Sequence, residues 1–253
     1  MEIARPVTGI AAGSVSFGVY FAIAGAVFLG TDRVPPYSLE DWQLLAAIAL
    51  GLFGALAAAL AAGLMLLASR LFGWLKIPPV VKPALGGLMF GVVGVALPLT
   101  MFSGGGQLAS VLAGARTLGL GLCIAVLIAK MLTYAVSQGS GFVGGPIFPL
   151  LFIGGTAGVV VHQAIPGVPL GLAFSCLLPA VLGSLAAAPF SMVLLAGFLT
   201  RAGALQTAPV LIAVVTAFLG VQGVKYLLAE REQRRGQSSS PAGRAGSEPR
   251  AGT

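Results

Sequence analysis

Charge is what this sequence lacks most. Only 8% of its 253 residues are charged, whereas a soluble domain carries about 25%. A water-facing globular surface cannot be built from so few charges. No acid lies between Asp41 and Glu230, and the chain has one histidine, His162. Acid–base catalysis therefore lacks its usual groups, and the sequence predicts a protein that is not an enzyme.

Cysteine is also scarce. Cys123 and Cys176 lie in separate apolar segments, so neither a disulfide framework nor a metal-ligand spacing follows, and we expect no metal and no cofactor. The 14 basic residues give a net charge of +7, but they stand at segment ends and in the tail. Because they form no patch interleaved with aromatic residues, nucleic acid is excluded as a partner.

Hydrophobic residues, in contrast, make up 57% of the chain, and glycine occurs 37 times. Small residues let helices approach closely in lipid, and one span takes about 20 apolar residues. We therefore expect an all-α polytopic membrane bundle of about six to eight segments over residues 1–228. A polar tail follows over residues 229–253, which we expect to be disordered. The arginines of this tail predict that the C-terminus is cytoplasmic. We expect the protein itself to lie in the cell membrane.

The predicted spans are interrupted by short breaks. Predicted apolar segments cover residues 7–30, 42–69, 83–99, 108–115, 117–136, 149–165, 170–185, 190–200 and 209–228. Of these, 108–115 is too short to span, and neither 170–185 nor 190–200 spans comfortably alone. Two breaks, 103–107 and 138–149, are rich in glycine. Unpaired backbone costs several kcal/mol per group in hydrocarbon, so such breaks must be buried in protein or line an aqueous path. They predict interrupted or re-entrant helices.

The second break ends at Pro149, which we place at the first position of the next helix because proline is favoured there. The amides and dipole of a helix start attract anions, and Gly144 and Gly145 let a ligand approach the backbone. The pattern predicts an anion site at the start of this helix. The alternative is a plain structural turn between two helices.

Two further side chains are secondary candidates for this site. Lys130 lies inside a predicted span, where it either raises the local anion concentration or snorkels or pairs with a helix C-terminus. Ser103 either donates its hydroxyl to an anion or satisfies its own turn. The single histidine, His162, is more typical of a packed or interfacial side chain than of a proton relay.

These segments resemble a known family. Gly-Gly-Pro-Ile-Phe-Pro at 144–149 is similar to the G-x-F-x-P filter region of CLC chloride channels and proton-coupled chloride transporters. Ser-Gly-Gly-Gly at 103–106 resembles the family's S-G-G-G turn, and Ala-Pro-Phe-Ser at 188–191 resembles its A-P-L-T segment. The order and spacing agree over residues 3–228, so the resemblance implies a voltage-gated-channel-type membrane protein that transports chloride or a similar small anion.

The resemblance covers only the family's second half. Its fold is an inverted repeat with the ion path between the halves, and the G-S-G-I-P and G-R-E-G-P segments of the first half are absent from this sequence. We therefore expect a missing first half, supplied by lost upstream sequence or by a partner chain. The resemblance also implies a homodimer, with the stretch after Pro169 among the interface helices.

Within the filter, this sequence departs from the family pattern. Pro146 stands where an amide donor is expected, and the phenylalanine is shifted by one position, so the chloride role is carried over only to Ile147 and Phe148. Two alternatives stay open. The chain is either a non-conducting half that acts as a structural or dimerisation partner, or a secondary transporter of another anion.

Overall fold

The structure is a computed structural model that describes residues 12–16, 18–19, 22–23, 34–186, 188–200 and 203–238. Its helices are α1 (Asp41–Trp74), α2 (Val81–Ala96), α3 (Gly105–Ala113), α4 (Leu120–Ser140), α5 (Ile147–Ala164), α6 (Leu170–Leu185), α7 (Pro189–Thr200) and α8 (Thr207–Ser238). A short 3-10 turn, Pro98–Thr100, joins α2 to the segment before α3. The described residues contain no strand, which confirms the all-α prediction.

Four of the described helices are long and apolar enough to cross a membrane: α1, α4, α5 and the Thr207–Glu230 part of α8. Helices α2, α6 and α7 are apolar but shorter than the roughly 20 residues of a full span. This mixture of full and short helices agrees with the predicted interrupted bundle. The predicted first span, residues 7–30, lies largely outside the described residues.

Helices α5 and α6 form the centre of the bundle. Residues 150–161 of α5 and 170–184 of α6 are all buried. Gly154 and Gly158, one turn apart on α5, face α6 so closely that a Cβ atom on either would meet backbone atoms of Leu177, Leu178 or Phe174. The two helices thus pack backbone to backbone, as small residues allow in membrane proteins.

This central packing corrects one expectation. The stretch after Pro169 was expected to supply a dimer interface, but it forms α6, which packs against α1, α5, α7 and α8. Because every residue from Leu170 to Ser184 is buried by these neighbours, α6 leaves no face for a second copy of the chain.

Several helix ends also differ from the predicted positions. Helix α5 begins at Ile147, so Pro149 occupies the third helical position and not the first. Helix α4 continues to Ser140, beyond the predicted end at 136. Helix α8 runs on to Ser238, past the predicted start of the disordered tail at 229, with Glu230 and Arg234 paired at 2.7 Å one turn apart. Apolar composition therefore located the end of the last span but not the end of its helix. Residues 239–253 lie outside the described residues.

The α5–α6 contact predicts the effect of one substitution. We expect Gly158→Leu to destabilise the protein by about 1–3 kcal/mol or more, because the new side chain would push against the backbone of Phe174. The measurement is thermal or denaturant unfolding of purified protein in detergent. The matched control is Gly63→Leu on α1, where nothing lies within 4 Å of the Cβ position. Equal losses for the two variants would contradict the proposed packing.

Candidate functional site

A cavity of about 600 Å³ lies where the two glycine-rich breaks meet helix α4. All seven residues selected from the sequence line it: Ser103, Lys130, Gly144, Gly145, Ile147, Phe148 and Pro149. The rest of the wall consists of Gly87, Phe90, Phe102, Thr133, Tyr134, Ser137, Gln138 and Phe142. The wall therefore combines residues from α2, the turn before α3, α4 and the segment that leads into α5. Anion binding in it stays a prediction.

The end of α4 sends the chain back toward the cavity. Gly141 adopts a left-handed conformation with φ 99°, and the N–H of Phe142 donates to the carbonyl of Ser137 at 3.1 Å. With the Gly141 N–H bonded to the Gln138 carbonyl, this is a Schellman motif, which satisfies the last carbonyls of a helix. The side chain of Gln138 donates to the carbonyl of Gly144 at 3.4 Å, and this bond connects the end of α4 to the segment that leads into α5.

Helix α5 starts at the wall of this cavity. Ile147 is its first residue, and its first-turn bond runs from the Leu150 N–H to the Pro146 carbonyl at 3.1 Å. The first N–H groups of a helix have no acceptor within that helix, and the helix dipole adds partial positive charge there. The start of α5 thus places positive potential beside Gly144 and Gly145.

A second helix begins close by. Helix α3 starts at Gly105, and the preceding Gly104 has φ 92°. Gly104 sits so close to the side chain of Phe152 that a Cβ atom would collide with it. Ser103 lines the cavity directly before this helix start. The sequence pattern indicated an anion-attracting helix start at α5 only, whereas packing brings that of α3 near it.

Among the described residues that line the cavity, Lys130 is the one that carries a formal charge. Its side chain is only 2% exposed, and its Nζ donates to the carbonyls of Thr100 at 2.9 Å and Phe102 at 2.7 Å. Nζ also lies 5.2 Å from the centre of the Phe152 ring, within the range of a cation–π contact. The lysine therefore does not snorkel to a surface. Its ammonium group lies between α5 and the turn at residues 100–104, which we call the Ser103 turn.

Further cavity residues on α4 were not selected from the sequence. Thr133, Tyr134 and Ser137 line the cavity together with Lys130. Their positions 130, 133, 134 and 137 follow the i, i+3, i+4, i+7 pattern of one helix face. This polar stripe in an otherwise apolar span is the signal that could have identified them.

The remaining candidates lie away from the cavity wall. His162 is in the last turn of α5, with its Nδ1 2.7 Å from the carbonyl of Val168. Cys123 and Cys176 are both buried as free thiols, on α4 and α6 respectively. Among the described residues, no group of three or more histidine, cysteine, aspartate or glutamate side chains is placed to hold a metal ion.

Comparison with known proteins gives a consistent result. A sequence profile described as "Voltage gated chloride channel" matches residues 5–222. The YfeO protein of Salmonella newport (strain SL254), whose name provisionally assigns it to ion transport, is 36% identical over 106 residues. That match covers 42% of this chain and 25% of YfeO, and the YfeO of Salmonella typhimurium (strain LT2) matches to the same extent.

A solved structure shows the same fold. The crystal structure of a slow cyanobacterial Cl⁻/H⁺ antiporter matches with a TM-score of 0.59 and 22% sequence identity. The match covers 82% of this chain and 49% of that chain. This chain therefore corresponds to about half of the solved structure, and its match with YfeO covers a quarter of that protein.

The Ser103 turn generates a prediction that is independent of transport. We expect Gly104→Ala to destabilise the protein by about 1–2 kcal/mol, because a left-handed conformation is costly for a residue with a Cβ atom. The collision with Phe152 adds to this cost. Gly106→Ala is the matched control, since nothing lies within 4 Å of its Cβ position in α3. Unfolding in detergent measures the stability of both variants. Equal stability of the two would contradict the turn geometry.

Proposed function

The chain belongs to the voltage-gated chloride channel family, and on this basis we propose that it forms the second half of a path for chloride or a similar small anion. The observation that carries the proposal is the meeting of the Ser103 turn, Lys130 and the start of α5 at one cavity. Each of these contributes positive potential or hydrogen-bond donors. We assign the anion contact to the backbone of Ile147 and Phe148.

The electrostatics of the cavity favour an anion over a cation. No aspartate or glutamate lines it, and none occurs in the sequence between Asp41 and Glu230. The charge of Lys130 is therefore not neutralised by a carboxylate from the intervening spans. Helix starts supply partial charge only, which suits a transport path because an ion must bind weakly enough to leave again. Gly144 and Gly145 leave room for close approach to the backbone.

The exposed edge of the cavity supports the need for a first half. Residues 141–148 are all exposed, Val143 completely so, and Phe102 is 71% exposed. The backbone of 141–146 is irregular, and irregular backbone does not face lipid because its polar groups would lose their hydrogen-bond partners. We propose that the first half of the inverted repeat covers this face, either as preceding sequence or as a partner chain.

The remaining parts of the proposal follow from the family and from charge. We propose that the assembled protein lies in the cell membrane as a dimer, with its basic C-terminal region in the cytoplasm. The basic residues that follow the last span support this orientation by the positive-inside rule. Ser103 is proposed to contact the anion through its hydroxyl group.

The assignment of Ile147 leads to a mutational prediction. In an assembly that transports chloride, we expect Ile147→Pro to lower flux by about tenfold or more, because proline has no N–H to donate to the anion. Ile147→Ala is the matched control, since it removes the side chain but keeps the N–H. Chloride efflux from liposomes measures both variants. If Ile147→Pro transported as well as Ile147→Ala, the assigned contact would be wrong.

The function itself is tested by reconstitution. Purified chain is placed in chloride-loaded liposomes with a potassium ionophore to clamp charge, alone or with the first half of a family member. We expect efflux at the protein-free level for the chain alone and a clear increase with the first half, because only then is the edge at 141–148 covered.

Other outcomes would select other functions. Chloride-selective efflux by the chain alone would contradict the need for a first half. A stable complex with the first half that carries no anion would favour a structural or dimerisation role. Transport of a larger anion in preference to chloride or bromide would favour a secondary transporter.

A further inference from the structure

We propose that Lys130 is a positioning residue, which ties the Ser103 turn to α4 and thereby holds the start of α3 at the cavity. The effect of Lys130 on transport rests on the proposed function. Its effect on the position of the turn does not. The proposal concerns what the lysine holds in place, and it differs from the simple attraction of anions by a positive charge.

The first observation is the geometry of the tie. The Nζ of Lys130 bonds to two carbonyls of the same turn, those of Thr100 at 2.9 Å and Phe102 at 2.7 Å. An ammonium group has three protons, so these two bonds use most of its donor capacity. Since Lys130 is only 2% exposed, water does not compete freely for these bonds.

The second observation is that the turn needs a restraint from outside. Phe102 has φ 53°, a left-handed conformation that is a genuine outlier for a bulky residue. Such conformations persist only where the surrounding structure enforces them. The side chain of Phe102 is 71% exposed, so its packing does not supply the restraint, whereas its carbonyl accepts the shorter of the two bonds from Lys130.

The third observation connects the turn to α5. The ammonium group of Lys130 lies 5.2 Å from the centre of the Phe152 ring. The same side chain of Phe152 packs directly on Gly104, the residue before α3. Lys130 thus connects α4, the Ser103 turn and α5. We infer that these contacts fix the position of the start of α3 relative to the start of α5.

A lysine suits this position for a chemical reason. Carbonyls without a hydrogen-bond partner are costly inside a membrane bundle, and here two of them converge on one point of α4. A long side chain with several donors can serve both. Arginine also has several donors, while methionine has similar length and none.

The test measures opening of the turn by thiol labelling. Thr100 is fully buried, so Thr100→Cys introduces a thiol that reacts with a water-soluble maleimide only when the turn opens. Full-length protein in detergent is labelled, and each cysteine is quantified separately by mass spectrometry of its peptide. Cys176, fully buried on α6, is the internal reporter of general unfolding.

In this background we expect Lys130→Met to speed labelling at position 100 by about tenfold, since two hydrogen bonds to the turn are lost. Labelling of Cys176 is expected to stay unchanged. Lys130→Arg should return labelling at position 100 close to the original rate. Ser184→Ala removes another buried polar side chain, which bonds only to its own helix, and should leave both rates unchanged.

Equal labelling at position 100 with lysine and methionine would overturn the proposal. If the methionine variant also exposes Cys176, Lys130→Gln is the comparison, because it keeps an amide donor and perturbs the fold less. A selective increase at position 100 in that variant supports the tie. A parallel increase at both cysteines in both variants overturns it, since Lys130 would then act on general stability.

The link to transport is measured separately in a conducting assembly. We expect Lys130→Met to lower chloride flux by about tenfold and Lys130→Arg to restore it, in parallel with labelling. Faster labelling with unchanged flux would overturn the role in the anion path but leave the tie itself supported. Because labelling requires no transport, a chain that carries no anion would contradict the proposed function without affecting the labelling result.

Discussion

The satisfaction of backbone polar groups in a medium without water is the constraint on which this structure depends. Within a helix, the backbone N–H and C=O groups bond to one another. Where a helix ends, these groups need other hydrogen-bond partners. At the end of α4 the solution is a Schellman motif around Gly141. At the turn before α3 it is the ammonium group of Lys130, which accounts for the carbonyls of Thr100 and Phe102. Both irregular segments can then line a cavity.

The same constraint explains the character of the candidate site. Interrupted helices present their starts to the cavity, and the amides at a helix start carry partial positive charge without a formal charge. Lys130, the one buried charged side chain among the described residues, is engaged with carbonyls and an aromatic ring. It adds positive potential without standing free in the cavity. The positive potential of the cavity therefore comes from helix dipoles and from one lysine whose position is fixed by hydrogen bonds.

The bundle separates a rigid centre from an exposed functional edge. Helices α5 and α6 pack through Gly154 and Gly158, and together with α1, α7 and α8 the packing buries α6 from Leu170 to Ser184. The N-terminal end of α5 emerges from this centre at residues 147–148, which are exposed. A firmly held helix thus places its start at an edge that a further protein surface can cover. This arrangement suits a chain that matches about half of a solved family structure.

Composition and local pattern alone determined the membrane class, the all-helical fold and most of the spans, because hydrophobicity and helix-breaking residues act over a few turns. The motifs at 103–106 and 144–149 also identified the family and six of the candidate residues, and the position of Lys130 inside an apolar span identified the seventh. Local pattern misplaced Pro149 by two positions, and the family resemblance placed the stretch after Pro169 at a dimer interface. Only the tertiary structure decided that α6 is buried, that Lys130 holds the Ser103 turn, and that two helix starts lie near one cavity. These features depend on how closely helices distant in sequence approach one another, which no local pattern specifies.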